Sequence, residues 1–140
     1  MGTHRFTVPA RLQSIRHVAD AVAVATAEAG FDDKTSYACQ LAVSEACENI
    51  VIHGYGQSQG KSLDVDIATA PGALTVELTD SAPAFDPTLV EVSPPLPPDD
   101  PPVGGLGLYI IRQVMDQVTY QRIAGHNHLR LFKTIQEVQN

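Results

Sequence analysis

The sequence predicts an α+β sandwich, a single sheet with helices on one face. Runs that alternate apolar and polar residues, as half-buried strands do, are mixed with runs at helical spacing. Their order is strand, helix, helix, hairpin, loop, helix, hairpin, without strict alternation and without an internal repeat. At 140 residues the chain is expected to be one domain, residues 1–140, long enough to bury a core.

Each element has its own signal. Residues 5–8 alternate and stop at Pro9, a short strand. Residues 10–29 place Leu12, Ile15, Ala19, Val22, Ala25 and Ala29 at helical spacing, and Gly30 suits a C-terminal cap. Asp32 is a fitting N-cap for a second helix that runs to about His53 and stops at Gly54. Residues 62–69 and 73–79 alternate on either side of Pro71-Gly72, which reads as a hairpin. Residues 80–103 read as a long irregular loop, because seven of the ten prolines fall between Pro87 and Pro102. A third helix spans about 105–116. Two last strands, 117–123 and 127–134, flank a turn at Ala124-Gly125-His126.

The net charge of −7 argues against a nucleic-acid binder, whose affinity rests on Lys and Arg. No apolar run reaches about 18 residues and no basic segment precedes an apolar one near the start. A cytoplasmic protein without direct membrane contact is therefore expected. Cys39 and Cys47 stand eight residues apart in one predicted helix, about 12 Å along its axis and too far for a disulfide. Both are expected to be free, buried and reduced.

The most informative stretch is residues 41–55. It sets Glu45 and Asn49 four residues apart, on one helix face about 6 Å from each other, amid apolar neighbours. A carboxylate there can accept a proton, and an amide oxygen is a hard ligand suited to Mg²⁺. Gly104-Gly105-Leu106-Gly107-Leu108 opens the third helix, where close backbone approach and unpaired N–H groups suit phosphates. It is not a Walker loop, since no GxxxxGK[ST] occurs. No Lys or Arg lies between Lys61 and Arg112, so a bound nucleotide would need backbone N–H groups and a divalent metal to offset its charge. Asp80 stands where an alternating strand gives way to the loop, a usual place for a site residue.

Taken together, three segments resemble the motifs of the GHKL, or Bergerat-fold, ATPase superfamily. Glu45-x-x-x-Asn49 is similar to its N box, residues 80–87 to its first glycine box, and residues 104–112 to its second. Ser44-Glu45-Ala46, His53-Gly54-Tyr55, Phe85-Asp86-Pro87, Met115-Asp116 and Asn127-x-Leu129-x-Leu131-x-Lys133 narrow the likeness to bacterial anti-sigma-factor serine/threonine kinases, over roughly residues 8–133. The resemblance implies a two-layer sandwich of mixed, mostly antiparallel sheet with three helices on one face. ATP would lie between the helices and a lid at about 85–103. It implies Glu45 as general base, Asn49 as Mg²⁺ ligand, and Asp80 as acceptor for the adenine amino group. Ala82, Ala84, Phe85, Gly104, Gly105, Leu106, Gly107, Leu108 and Lys133 would complete the nucleotide site. A sigma factor and a STAS-type antagonist would be the protein partners, and the chain would form a homodimer.

One departure stands out. Ala82, Pro83 and Ala84 occupy ground where the first box normally carries glycine, which predicts a stiffer hinge. It leaves room for a different reading, a relative that controls a partner without transferring phosphate. The catalytic domain of a two-component histidine kinase fits less well. Too little chain precedes Glu45 for a dimerising hairpin, and the first helix holds only His17. His53 reads as a capping or packing histidine rather than a catalytic one, and His126 and His128 as exposed. Arg112 and Lys133 read equally as phosphate-reaching residues or solvated ends, and Tyr55, Phe85 and Tyr109 equally as pocket or core aromatics.

Overall fold

The computed structural model describes residues 2–90 and 105–135. Strand β1 (Gly2–Pro9) leads through a 3-10 turn (Leu12–Ser14) into α1 (Ile15–Glu28) and α2 (Asp33–Glu48). A π-helical segment (Asn49–Gly54) extends α2, and the hairpin β2 (Ser62–Ala70) and β3 (Ala73–Asp80) follows. A 3-10 turn (Pro87–Leu89), α3 (Gly105–Val114) and the hairpin β4 (Gln117–Ile123) and β5 (His126–Thr134) complete the order. The sheet runs β1-β2-β3-β5-β4 and all four pairings are antiparallel. The mixed sheet expected from the resemblance is thus wholly antiparallel among the described residues.

Alternation in the strands sets the layers. Leu63, Val65 and Ile67, Leu74, Val76 and Leu78, and Leu129 and Leu131 all point into the core. Val18, Val22 and Ala25 of α1, and Ala42, Val43 and Ala46 of α2, cover them from one side. Burying each large aliphatic side chain stabilises the fold by about 1.5–3 kcal/mol. Cys39 and Cys47 lie in this layer as free thiols. Burial pushes them up to about 11 and about 12, so both stay protonated at neutral pH.

Local chemistry explains the ends of the elements. Gly30 takes φ +87, its N–H bonds Ala27 O at 3.1 Å, and Phe31 N–H bonds Thr26 O at 2.9 Å. That pair of bonds is a Schellman cap with glycine in the left-handed position. The Asp32 side chain accepts from Thr35 N–H at 2.7 Å, which caps α2 and holds the carboxyl below its ordinary range. The first helix starts five residues later than the spacing suggests, because a 3-10 turn follows Pro9. The second stops being α-helical at Glu48. There the ladder widens, and Tyr55 N–H reaches back five residues to Ile50 O at 2.8 Å.

Ile123 and His126 pair directly, so the last hairpin turns on Ala124 and Gly125, with φ +50 and +82. Two positive φ values make a type I′ turn, which favours Asn-Gly and penalises alanine at its first position. Ala124→Asn should therefore raise the unfolding free energy by about 1 kcal/mol in urea titration, with an unchanged m-value.

Candidate functional site

Pairing in the sheet brings Asp80, the last residue of β3, opposite Asn127, near the start of β5. Both sit on the inward face and both are buried, at 5 % and 6 % exposure. A buried carboxylate and amide need partners, and they find each other. Asn127 Nδ2 donates to Asp80 Oδ1 at 2.9 Å, and to the carbonyls of Ala82 and Pro83 at 3.2 Å each. Its Oδ1 accepts from Tyr120 Oη and from Arg122 NH1 at 3.0 Å. Arg122 also donates to Ala82 O at 2.8 Å, and Ala82 N–H caps Asp80 Oδ1 at 2.9 Å. The first residues beyond β3 are thus fastened to β5 and β4 by three hydrogen bonds.

A cavity of about 330 Å³ opens beside this network. Asn49, Ile50 and His53 form its helical wall, Asp80 and Asn127 its polar end, and Leu108 and Ile111 of α3 its apolar side. Phe85 and Pro87 close the edge toward the loop. Arg112 donates to Pro87 O, which ties the loop base to α3. Tyr55 holds the opposite rim. Its hydroxyl accepts from Ser81 N–H at 2.7 Å and donates to Ser62 O at 2.8 Å.

The residues singled out from the sequence divide cleanly. Asn49, Asp80, Ala82, Ala84, Phe85 and Leu108 line the cavity, and His53 and Arg112 join them. Glu45 lies one turn before Asn49, half-buried, packed against the start of α3; a methyl placed at Gly107 would meet its Oε2 at 2.7 Å. Burial raises the Glu45 carboxyl above its ordinary range, and the neighbouring Glu48 charge adds to this. Gly105 opens α3, while Leu106 is exposed and not among the lining residues. Gly104 and lid residues 91–103 lie outside the described residues.

Lys133 is not among the residues that line the cavity. It is six residues along β5 from Asn127, about 20 Å at strand rise, and its Nζ pairs with Asp116 at 3.5 Å. Burial acts to raise Asp116, but bonds from Thr134 and the Lys133 charge outweigh it and hold the carboxyl low. His128 is half-buried rather than exposed, 3.6 Å from Glu77. Tyr55 braces the rim without lining the cavity, and Tyr109 does not line it either.

The expected stiffness at Ala82–Ala84 takes a different form. None of these residues has a positive φ, so the path followed here does not require glycine. Ala82 is buried, and a methyl placed at Gly54 would come within 3.2 Å of its side chain. Glycine at 54 therefore makes the room that alanine at 82 uses.

From sequence alone, Asn127 enters only as part of a motif and with no role, and Tyr120 and Arg122 do not enter. Asn127 and Tyr120 line the cavity, and Arg122 bonds Asn127. A signal was present: Asn127 shares its inward parity with Leu129 and Leu131, and an amide in such a row must have buried partners.

A helical layer over one antiparallel sheet, with a cavity between a buried Asp and the glycine-led third helix, is the ATPase domain of the GHKL type. The chain belongs to the histidine kinase-like ATPase domain family, which it matches over residues 8–133. Among its relatives is the serine/threonine-protein kinase BtrW of Bordetella bronchiseptica, 34 % identical over 93 residues, 65 % of each chain. The serine-protein kinase RsbW of Bacillus subtilis is 32 % identical over 91 residues, 61 % of this chain and 57 % of the relative. RsbW of Halalkalibacterium halodurans is 27 % identical over 128 residues, 88 % of this chain and 78 % of that one. The matches with the first two thus span less than two thirds of the relatives' length. The crystal structure of the RsbU and RsbW domains of Rv1364c from Mycobacterium tuberculosis shares the fold. Its TM-score is 0.63 at 20 % identity, covering 96 % of this chain and 32 % of that one.

The Asn127 network yields a direct expectation. Asn127→Ala strips partners from Asp80 Oδ1 and two loop carbonyls, and should cost about 2–3 kcal/mol of unfolding free energy by denaturant titration.

Proposed function

We propose that this chain is an ATP- and Mg²⁺-dependent protein serine/threonine kinase and anti-sigma factor that phosphorylates a STAS-type antagonist. The observation that carries the reading is the placement of one helical pair. Asn49 faces the cavity across from Asp80, and Glu45 sits one turn away beside the first turn of α3. Adenine would lie at Asp80. Both of that carboxylate's bonds among the described residues go to Oδ1, which leaves Oδ2 for an exocyclic amine. The phosphates would extend toward the N-terminal turn of α3, where free N–H groups favour anions.

Mg²⁺ fits this donor set. Among the described residues no group of three or more His, Cys, Asp and Glu could hold a metal. Mg²⁺ takes one or two protein oxygens together with water and substrate phosphates, and Asn49 offers such an oxygen. When bound, the ion would offset phosphate charge. The chain's own residues do the rest. Asn49 and Asp80 set the two ends of the nucleotide, and Leu108 and Ile111 exclude water from one side. Glu45 takes the proton of the attacking serine hydroxyl while the terminal phosphoryl group breaks from the bridging oxygen of ATP and passes to the serine oxygen, with ADP leaving. A carboxylate raised above its ordinary range is a stronger base than a solvated one, which suits that role.

Three outcomes test this. Purified protein with labelled ATP, Mg²⁺ and a STAS protein should transfer label to serine; tight partner binding with no transfer would select the non-transferring regulator instead. Glu45→Gln should lower transfer by about 10²–10⁴ while nucleotide affinity by calorimetry stays at the parental level. The same variant should melt higher at neutral pH. The sign follows from linkage: a carboxyl raised in the folded state binds its proton more tightly when folded. Its contribution is therefore favourable at low pH and is lost as pH rises from the ordinary 4.5 through the raised value. An uncharged amide avoids that loss.

Gly107→Ala provides an independent check. The added methyl would push aside the end of the Glu45 side chain, not backbone, so the fold should keep its stability to within about 1 kcal/mol. Transfer should nevertheless fall about tenfold or more, since a misplacement on the order of 1 Å at a reacting group costs that much. Parental transfer by this variant would remove Glu45 from the chemistry.

A further inference from the structure

A second cavity, of about 560 Å³, lies where the end of β1 and the 3-10 turn after it meet the loop that follows the π-helical segment. Backbone pairing of Ala10 N–H with Lys61 O at 2.9 Å holds the two segments together. Arg11 and Lys61 stand in its lining with Gln13, Gln57, Ser58 and Gln59, and no Asp or Glu is among the lining residues.

The charge pattern is the reason to attend to it. The chain carries 16 acidic and nine basic residues. Five of the basic side chains are committed: Arg5 to Asp66, Arg130 to Glu77, Lys133 to Asp116, Arg112 to Pro87 O and Arg122 to Ala82 O. The other four, Arg11, Arg16, Lys34 and Lys61, have neither a salt bridge nor a side-chain hydrogen bond among the described residues. Two of those four converge on this one hollow, in a protein with an excess of carboxylates to offer. Three glutamine amides beside them add neutral donors, and amides together with a guanidinium and an ammonium match the oxygens of an anion. The volume exceeds what a single inorganic ion fills and lies in the range of small-ligand sites.

We infer that this hollow binds a small, multiply charged organic anion, a phosphate ester or a polycarboxylate, at a site separate from the nucleotide cavity. The two sites share a wall. Val51 lines the second hollow, while Ile50, His53 and Gly54 of the same π-helical segment line the first.

The test is a titration of ¹⁵N-labelled full-length protein with pyrophosphate and with citrate, against sodium chloride at matched ionic strength. Saturable shifts are expected at residues 10–13 and 57–61 with at least one of the two anions and not with chloride. The paired substitution Arg11→Gln, Lys61→Gln should weaken that binding about tenfold or more. It should leave ATP affinity at the other cavity within twofold in the absence of the anion. If the paired variant unfolds, Arg11→Gln alone should weaken binding and Lys61→Arg should retain it. Shifts that follow ionic strength only, saturation confined to the cavity at Asp80, or equal affinity in the variants would each overturn the inference.

Discussion

The site depends on a single buried amide. Asn127 spends every donor and acceptor it has on Asp80, the loop carbonyls beyond it, Tyr120 and Arg122. Without it, the end of β3 would present a buried carboxylate to an apolar core and would be pulled outward toward water. With it, Asp80 is held at the rim with one oxygen fully used, and the chain beyond is fixed against β4 and β5. The orientation of the Asp80 carboxylate is thereby a property of sheet register and not of a flexible loop.

The opposite wall is set by a second fastening. The π-helical segment takes in an extra residue per turn, and Tyr55 emerges from it aimed at the sheet. Its hydroxyl joins Ser81 N–H and Ser62 O, so the helix that carries Asn49 and the strand that carries Asp80 are cross-linked just beside the cavity. The distance across the site is then fixed by packed groups. Two glycines supply the clearance this needs: Gly54 faces the Ala82 methyl and Gly107 faces Glu45.

How much of this the sequence disclosed follows from how far each interaction reaches. Periodicity gave the first helix and the hairpin of β2 and β3, since a buried face repeats at 2.0 or 3.6 residues, while only residues 5–8 of the longer β1 (Gly2–Pro9) were read as strand. The cap at Gly30 and the N-cap at Asp32 were legible for the same reason: their chemistry is local. The π-helical segment was not, because one widened turn leaves the apolar spacing almost unchanged. Asn49, Asp80 and Phe85, which line the cavity, were singled out through helix spacing, the strand–loop junction and motif resemblance. Lys133 was drawn in by the same motif logic, although strand rise alone places it about 20 Å from Asn127. Asn127 was passed over since its meaning is non-local: its importance comes from Asp80, 47 residues away, and only the register joins them.

Glu45 shows why such a site costs stability. Its side chain is partly withdrawn from water and close to a like charge, so its ionised form is disfavoured in the folded state. A purely structural helix would put a neutral residue there. Gly107, in the first turn of α3, leaves room for the Glu45 carboxylate beside a helix start, where N–H groups favour negative charge. That same turn is where the phosphates of the proposed nucleotide would lie. A phosphate arriving there would bring its charge beside Glu45 and raise the carboxyl further. In the proposed reaction, Glu45 would then become a stronger base only once a nucleotide phosphate is in place. This physical coupling needs no movement of the backbone, only two anions sharing one helix terminus.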